Sequence, residues 1–173
     1  MDKLVIASNN AGKLKEIQRV LAPLNWEVLP QSAFNIPEAD EPHHTFIENA
    51  LAKARHASKL AGLPALADDS GICVDALGGA PGVYSARYAG LPKSDERNNQ
   101  TLLDMMNNQS NRKAHYYCVL VMLRHSDDPQ PIIAEGSWQG EIAREARGKG
   151  GFGYDPLFFL PALGKMSAEL SHD

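Results

Sequence analysis

Cysteine is scarce in this sequence: Cys73 and Cys118 are its only two, and no C-x-x-C motif occurs. This scarcity argues against a disulfide-stabilised scaffold and against a zinc site built from cysteines. The six histidines show neither H-x3-H nor H-E-x-x-H spacing, which disfavours a histidine metal site. Any metal ion in this protein is therefore expected to be held by oxygen ligands.

Long apolar runs are also absent. No stretch of about 18 apolar residues occurs, and the N-terminus lacks a basic region followed by an apolar segment and a cleavage site. The net charge of −4 argues against a surface that binds a DNA or RNA duplex, while leaving room for a local basic pocket. We therefore expect a cytoplasmic protein without a membrane or duplex partner.

The 173 residues are enough for one domain with a full core, and 43% hydrophobic with 22% charged residues is ordinary for a globular chain. Strands alternate with helices first and pair with one another later, which predicts a mixed sheet in an α/β domain. The predicted strands cover residues 3–7, 27–29, 115–124, 132–142 and 157–160. The predicted helices begin near residues 12, 46 and 95, and the second of them is opened by the capping box Thr45-Phe46-Ile47-Glu48.

The most informative segment is Ala67-Asp68-Asp69-Ser70-Gly71, which follows the apolar residues 63–66. Because neighbouring side chains of a strand point to opposite faces, we expect the strand to end here. A turn at Ser70-Gly71 would then aim both carboxylates at one site. Such a pair suits Mg²⁺ and leaves one acid to activate a water, although a polar turn between two strands is the alternative.

Three further segments carry groups that could bind a nucleotide. Residues 8–13 (SNNAGK) join a strand to a helix, where unpaired amides, the helix dipole and Lys13 favour phosphate. The segment is not a Walker A loop, and an asparagine-rich helix cap beside a surface lysine is the alternative. Lys53 flanks the small-residue face of the second helix, from which it could reach a phosphate or lie on the surface.

An acidic loop containing Glu38, Asp40 and Glu41 precedes that helix, and it could bind metal or be solvated. Residues 148–156 (GKGGFGYDP) combine glycines, which let the backbone approach a ligand, with two aromatics able to stack on a base. A glycine-rich hairpin with structural aromatics is the alternative.

Together these segments resemble the inosine/xanthosine triphosphate pyrophosphatase family. The resemblance rests on residues 8–13 (SNNAGK), 45–50 (TFIENA), 53–55 (KAR), 67–71 (ADDSG), 78–88 (GGAPGVYSARY) and 150–156 (GGFGYDP), in this order and spacing. It implies an elongated mixed α/β domain with two lobes and a central cleft, and a homodimer. It also implies hydrolysis of ITP, dITP and XTP to the monophosphate and pyrophosphate.

The resemblance assigns roles to individual residues. Asp69 matches the general base and Mg²⁺ ligand, and Asp68 belongs to the same acidic site. A loop acid also binds metal in the family. Glu41 is the favoured match in this chain, and Asp40 and Glu38 remain alternatives. The expected metal is Mg²⁺, for which Mn²⁺ can substitute. The positions that match triphosphate contacts are Ser8, Asn9, Asn10, Ala11, Gly12, Lys13 and Lys53. Those that match other substrate contacts are Ser70, Phe152, Gly153, Tyr154 and Asp155, with the phenylalanine stacking on the purine.

The end of the chain departs from the family pattern, in which a lysine, a Ser-His-Arg motif and a terminal helix help hold the base. Here Ser171-His172 comes directly after residues 166–170, and we interpret it as coincidence. Residues 1–173 are thus expected to form a single pyrophosphatase domain that lacks roughly 20 residues of the pattern, about one terminal helix. The alternatives are a related pyrophosphatase acting on pyrimidine or modified nucleotides, or a nucleotide-binding module without turnover.

Overall fold

The structure of the protein is a computed structural model that describes residues 2–171. Within this range the chain forms a mixed seven-stranded sheet and three α-helices. The strands are β1 (Lys3–Ile6), β2 (Glu27–Pro30), β3 (Ala65–Val74), β4 (Lys113–Leu123), β5 (Ile132–Ile142), β6 (Phe158–Leu160) and β7 (Lys165–Met166). The helices are α1 (Ala11–Leu21), α2 (Phe46–Ala61) and α3 (Asp95–Met105).

The strand order is β2-β1-β3-β4-β5-β6-β7. β1 pairs in parallel with both β2 and β3, whereas β6 pairs antiparallel with β5 and β7. This confirms the predicted mixed sheet. The sequence did not predict β7, because a strand of two residues is too short for an alternating pattern to show.

The chain divides into two compact units, Met1–Asp69 with Cys118–Glu135 and Ser70–Tyr117 with Gly136–Asp173. In the first unit, β2 and β3 lie on opposite sides of β1. The connection from β1 to β2 contains α1, and the connection from β2 to β3 contains α2 and runs in the opposite direction along the sheet. Right-handed crossovers of opposite direction place their helices on opposite faces of the sheet. Accordingly, α1 packs through Leu14 and Ile17 against Leu4, Ile6 and Leu66. The other helix, α2, contacts β1 and buries its small-residue face of Ala50, Ala54 and Ala57.

The helices of the first unit begin where the sequence predicts, because their caps are local. The Asn10 side chain accepts hydrogen bonds from the first turn of α1. At α2, the Glu48 amide donates to Thr45 Oγ1 over 3.2 Å, and the Thr45 hydroxyl donates to Glu48 Oε1 over 2.7 Å. Gly62 ends α2 in the left-handed conformation at φ 66°.

The core of the second unit includes the buried residues Ile72, Leu102, Met106, Leu157 and Phe158. Ser94 caps α3 by accepting a hydrogen bond from the Arg97 amide, as predicted. Among the described residues, no helix has the length and apolar character needed to span a membrane. Both cysteines are free thiols, which agrees with the argument against a disulfide scaffold.

One prediction about β3 is wrong. The strand does not end in a turn at Ser70-Gly71 but continues to Val74. The residues beyond the acid pair, Ile72 and Val74, are themselves core residues, so the strand gains burial by continuing. The two aspartates are thus consecutive residues of one strand and cannot be aimed at one site by a turn.

Two glycines of β5 provide a stability test of the packing. A Cβ on Gly140 would lie 2.6 Å from the ring of Phe158 and 2.7 Å from the carbonyl oxygen of Phe159, whereas one on Gly136 would meet nothing within 4 Å. We expect Gly140→Ala to lower the free energy of unfolding by about 1 to 3 kcal/mol. Gly136→Ala, the matched control, should change it by less than about 0.5 kcal/mol. Urea denaturation checks this, and equal effects would contradict the packing at Phe158.

Candidate active site

The side chains of Asp68 and Asp69 lie on opposite faces of the sheet. Side chains alternate along a strand, so Asp68 lies on the same face as Leu66, which packs against α1. There Asp68 Oδ2 lies 2.8 Å from Lys13 Nζ. Asp69 lies on the α2 face, where Lys53 and Glu41 are the charged groups that act on it most strongly. The two opposite crossovers therefore bring a lysine to each aspartate.

The Lys13–Asp68 pair is well shielded from water, with the Asp68 side chain only 7% exposed. Burial disfavours the charged Lys13 ammonium, but the charge of Asp68 and its hydrogen bond outweigh this and raise the pKa of Lys13. Lys13 is therefore held as a cation. The second carboxylate oxygen of Asp68, Oδ1, is buried and has no hydrogen-bond partner within residues 2–171.

Asp69 is a carboxylate whose pKa the protein raises strongly. Burial in the protein raises its pKa from 3.8 to about 6, the Lys53 charge opposes this shift, and the Glu41 charge adds to it. A buried acid with a pKa near neutrality, beside specific charged partners, is typical of a general base. Asp69 therefore has the properties expected of the catalytic residue.

Glu41 is the acid of the preceding loop that reaches the site. Its Oε1 lies 3.0 Å from Lys53 Nζ, and both side chains are mostly buried. Glu38 and Asp40 are exposed, and neither is among the charged groups that perturb Asp69. The geometry thus favours Glu41 over both alternatives, including Asp40, as the loop acid beside Asp69.

Residues 8–13 connect β1 to α1 as the sequence predicts, but their hydrogen bonds differ from the expectation. The Asn10 Oδ1 atom accepts hydrogen bonds from the amides of Gly12 (3.0 Å) and Lys13 (3.2 Å), while Ser8 Oγ accepts one from the Asn10 amide. The expectation of unpaired amides is therefore wrong for Gly12 and Lys13, because asparagine is an efficient helix cap. Asn9, Ala11 and Gly12 are exposed.

These residues fit a hard divalent cation. Within residues 2–171, no group of three or more His, Cys, Asp or Glu side chains forms a metal cage. Mg²⁺ does not need one, because it commonly binds one or two carboxylates together with substrate phosphates and water. The negative charge of Glu41 makes ionisation of the buried Asp69 more costly. A cation held between these two carboxylates would relieve that cost, so the site's donor set fits the metal expected from the sequence.

In the second unit, a glycine-rich loop presents Phe152. The Phe152 ring is 45% exposed and stands between Gly151 and Gly153, which have φ values of 71° and 59°. The peptide of Gly153 is held on both sides: its amide donates to Asp95 Oδ2 and its carbonyl accepts from Asn99 Nδ2, each over 3.0 Å. An exposed aromatic ring on a held backbone is suited to stack on a base.

The neighbours of Phe152 have structural contacts. Asp155 accepts hydrogen bonds from the Tyr116 hydroxyl (3.0 Å), the Ser167 hydroxyl (2.8 Å) and the Phe152 amide (3.0 Å), so its carboxylate shapes the loop. Tyr154 is only 4% exposed, and its hydroxyl donates to the Ser85 carbonyl over 2.6 Å. The prediction that both aromatic rings are free to stack is therefore wrong for Tyr154. Ser70 is half-buried on β3.

Sequence reasoning missed Asp95, Asn99 and Asn49. Asp95 and Asn99 are four residues apart on α3 and share one face, which is the signal that could have paired them. Asn49 is fully buried and lies next to the apolar face of α2 at Ala50. A polar residue that borders the small-residue face of a helix is the signal that was overlooked there.

Comparison with known proteins shows the family of this chain. Residues 4–173 match the Ham1 family. A Nitrosomonas europaea protein named dITP/XTP pyrophosphatase is 68% identical over 171 residues, covering 99% of this chain and 84% of that protein. A Chromobacterium violaceum protein of the same name is 65% identical over 169 residues, covering 98% and 86%.

Solved structures show the same fold. A HAM1 protein from Coxiella burnetii superposes with a TM-score of 0.94 at 47% identity, covering 99% of this chain and 88% of that one. The Ham1 protein of Staphylococcus aureus gives a TM-score of 0.88 at 41% identity, with the same coverage. His172, part of the terminal Ser-His pair, lies outside the described residues. The resemblance drawn from the sequence motifs is confirmed, and the chain belongs to the Ham1 family.

Proposed function

We propose that this protein hydrolyses deaminated purine nucleoside triphosphates, namely ITP, dITP and XTP, to the monophosphate and pyrophosphate in a Mg²⁺-dependent reaction. The observation that carries the proposal is Asp69, a buried carboxylate with a pKa of about 6 beside Lys53 and Glu41. It is supported by 68% identity to a protein named dITP/XTP pyrophosphatase. The enzyme would remove damaged nucleotides from the cytoplasmic pool.

The mechanism follows from the charges of the first unit. Lys13 and Lys53 each provide a buried ammonium that can neutralise phosphate oxygens and stabilise pyrophosphate as the leaving group. Asp69 orients a water and accepts its proton during attack on the α-phosphorus. Asp69 and Glu41 would hold Mg²⁺, which lowers the pKa of bound water and offsets phosphate charge.

Phe152 is the residue proposed to stack on the purine. Hydrogen bonds from Gly153 to Asp95 and from Asn99 to Gly153 hold the backbone next to this ring. Hydrogen-bond donors aimed at a 6-oxo group would be left unpaired by the amino group of adenine, which is a strong basis for selectivity.

The experiment that tests the proposal is pyrophosphate release from dITP and XTP, with Mg²⁺ or Mn²⁺ and after exhaustive EDTA treatment. We expect release of pyrophosphate with either metal and loss of most of the activity in EDTA, because the metal held by Asp69 and Glu41 would add the positive charge that Lys13 and Lys53, each already paired with a carboxylate, supply only in part. Full activity after metal removal would contradict the metal's role. Nucleotide binding without product would instead support a binding module.

The pKa of Asp69 is open to direct measurement in the metal-free protein. We expect a titration midpoint of about 6 by ¹³C NMR of the carboxyl carbon. Glu41→Gln should lower it by removing a negative neighbour, and Lys53→Met should raise it by removing a positive one. Since the folded-state pKa exceeds the unfolded one, this group favours folding more as the pH falls from about 6 to about 4. A midpoint near 3.8 would contradict the burial of the charge.

We also propose that the protein is a homodimer that pairs through β5. Within residues 2–171, the pairing of β5 with β6 involves only Glu141 and Ile142 of β5, and residues 132–139 of β5 are exposed, including Ile132, Ile133 and Trp138. An exposed edge without lysine or proline is a template for another strand. Light scattering should give twice the mass of 18.8 kDa, and a monomer in the micromolar range would contradict this.

A further inference from the structure

The loop of residues 37–44, which carries Glu41, is attached to one face of α2. Asn49, Lys53 and His56 are spaced i, i+4 and i+7, so their side chains lie along the same face of the helix. His56 Nε2 lies 3.0 Å from the Pro37 carbonyl oxygen, and Lys53 Nζ lies 3.0 Å from Glu41 Oε1. The third attachment, through Asn49, is made to the backbone.

Asn49 uses both ends of its amide on a single residue. The His43 amide donates to Asn49 Oδ1 over 3.0 Å, and Asn49 Nδ2 donates to the His43 carbonyl over 3.3 Å. Two bonds, one to each backbone group of His43, fix the orientation of that residue's backbone as well as its position. Asn49 is 0% exposed, so losing either bond would leave a buried polar group unsatisfied.

The position of Asn49 connects this backbone contact to the candidate active site. His43 is two residues from Glu41, and Asn49 is one helical turn from Lys53, the partner of Glu41. We propose that Asn49 is a positioning residue that fixes the backbone at His43 and thereby keeps the Glu41 carboxylate beside Lys53 and Asp69. The inference rests on the proposed function, because Glu41 is taken there to bind the metal.

The test is metal affinity measured without substrate. Mn²⁺ binding is followed by EPR of the free ion in the full-length protein. We expect Asn49→Ala to weaken Mn²⁺ binding by about 10- to 100-fold, the usual effect of removing a group that orients a metal ligand. Asn49→Ser, which introduces no charge but has too short a side chain to bond both backbone groups of His43, should act in the same direction and provides a second variant if Asn49→Ala does not fold.

Ser58→Ala is the matched control. Ser58 is buried on the same helix, but its hydroxyl donates to the Leu63 carbonyl over 2.8 Å, beyond the C-terminus of α2. It should lower stability without changing Mn²⁺ affinity. A double-mutant cycle with Glu41→Gln separates positioning from general damage, since Asn49→Ala should cause no further loss of affinity once Glu41 cannot bind.

Unchanged Mn²⁺ affinity in folded Asn49→Ala, or full additivity with Glu41→Gln, would overturn the proposal. If the wild-type protein binds no Mn²⁺, the metal part of the proposed function fails, and hydrogen exchange then decides the positioning claim. Faster exchange of the His43 amide and its loop in Asn49→Ala, but not in Ser58→Ala, supports it. Unchanged exchange overturns it.

Discussion

Replacing Asp69 with asparagine is expected to lower kcat for dITP hydrolysis by about 10²- to 10⁴-fold, the range for removal of a positioned general base. The amide has nearly the same shape but can neither accept the proton of water nor oppose the charge of Mg²⁺. The buried carboxylate has a raised pKa, so the neutral amide also removes an unfavourable charge from the folded protein. The variant should therefore fold at least as stably as the wild type.

Asp104→Asn is a suitable control, because Asp104 is an exposed residue near the end of α3 whose carboxylate contacts Gln100. It should retain wild-type kcat. The kcat values of the two variants and the wild type are compared by steady-state kinetics, and thermal denaturation establishes that each variant is folded. Activity of folded Asp69→Asn within about threefold of wild type, far less than loss of a general base, would remove Asp69 from the mechanism.

The second large effect is expected in base selectivity. We expect kcat/KM for dITP to exceed that for dATP by at least about 10²-fold, because a site that donates hydrogen bonds to a 6-oxo group is left unsatisfied by an amino group. The two substrates share the same triphosphate and sugar, so the contacts of Lys13 and Lys53 cancel in the ratio. The difference therefore reports on the base alone.

Phe152→Leu provides the companion measurement. Its half-exposed ring is expected to stack on either purine, so removing it should weaken both substrates and leave the ratio nearly unchanged. Equal efficiency on dITP and dATP, or a preference for a pyrimidine triphosphate, would favour the related pyrophosphatase with another substrate range.

The sequence predicts the helices well because their signals are local. Thr45 and Glu48 form a capping box within four residues, and Gly62 ends the same helix through its own backbone freedom. The alternative interpretation of residues 8–13 as an asparagine cap is also confirmed at Asn10. The second part of that interpretation, a surface lysine, is wrong, because Lys13 pairs with Asp68. Asp68 is 55 residues away in sequence, so spacing could not predict this pair.

The acid pair shows why the candidate site could be predicted only in part. The strand rule that side chains alternate correctly implied that two adjacent aspartates cannot share a face. The inference of a turn was wrong. A helix packs on each face of the sheet, so Asp68 pairs with Lys13 on one face and Asp69 interacts with Lys53 on the other without any turn. That arrangement depends on the order of β2, β1 and β3, which no local pattern contains.

The most direct test of the central claim is the fate of oxygen during hydrolysis of dITP in water enriched in ¹⁸O, followed by ³¹P NMR. Attack on the α-phosphorus by a water that Asp69 activates predicts label in the phosphate of dIMP and none in pyrophosphate. Label in pyrophosphate, or the formation of dIDP and orthophosphate, would contradict the account.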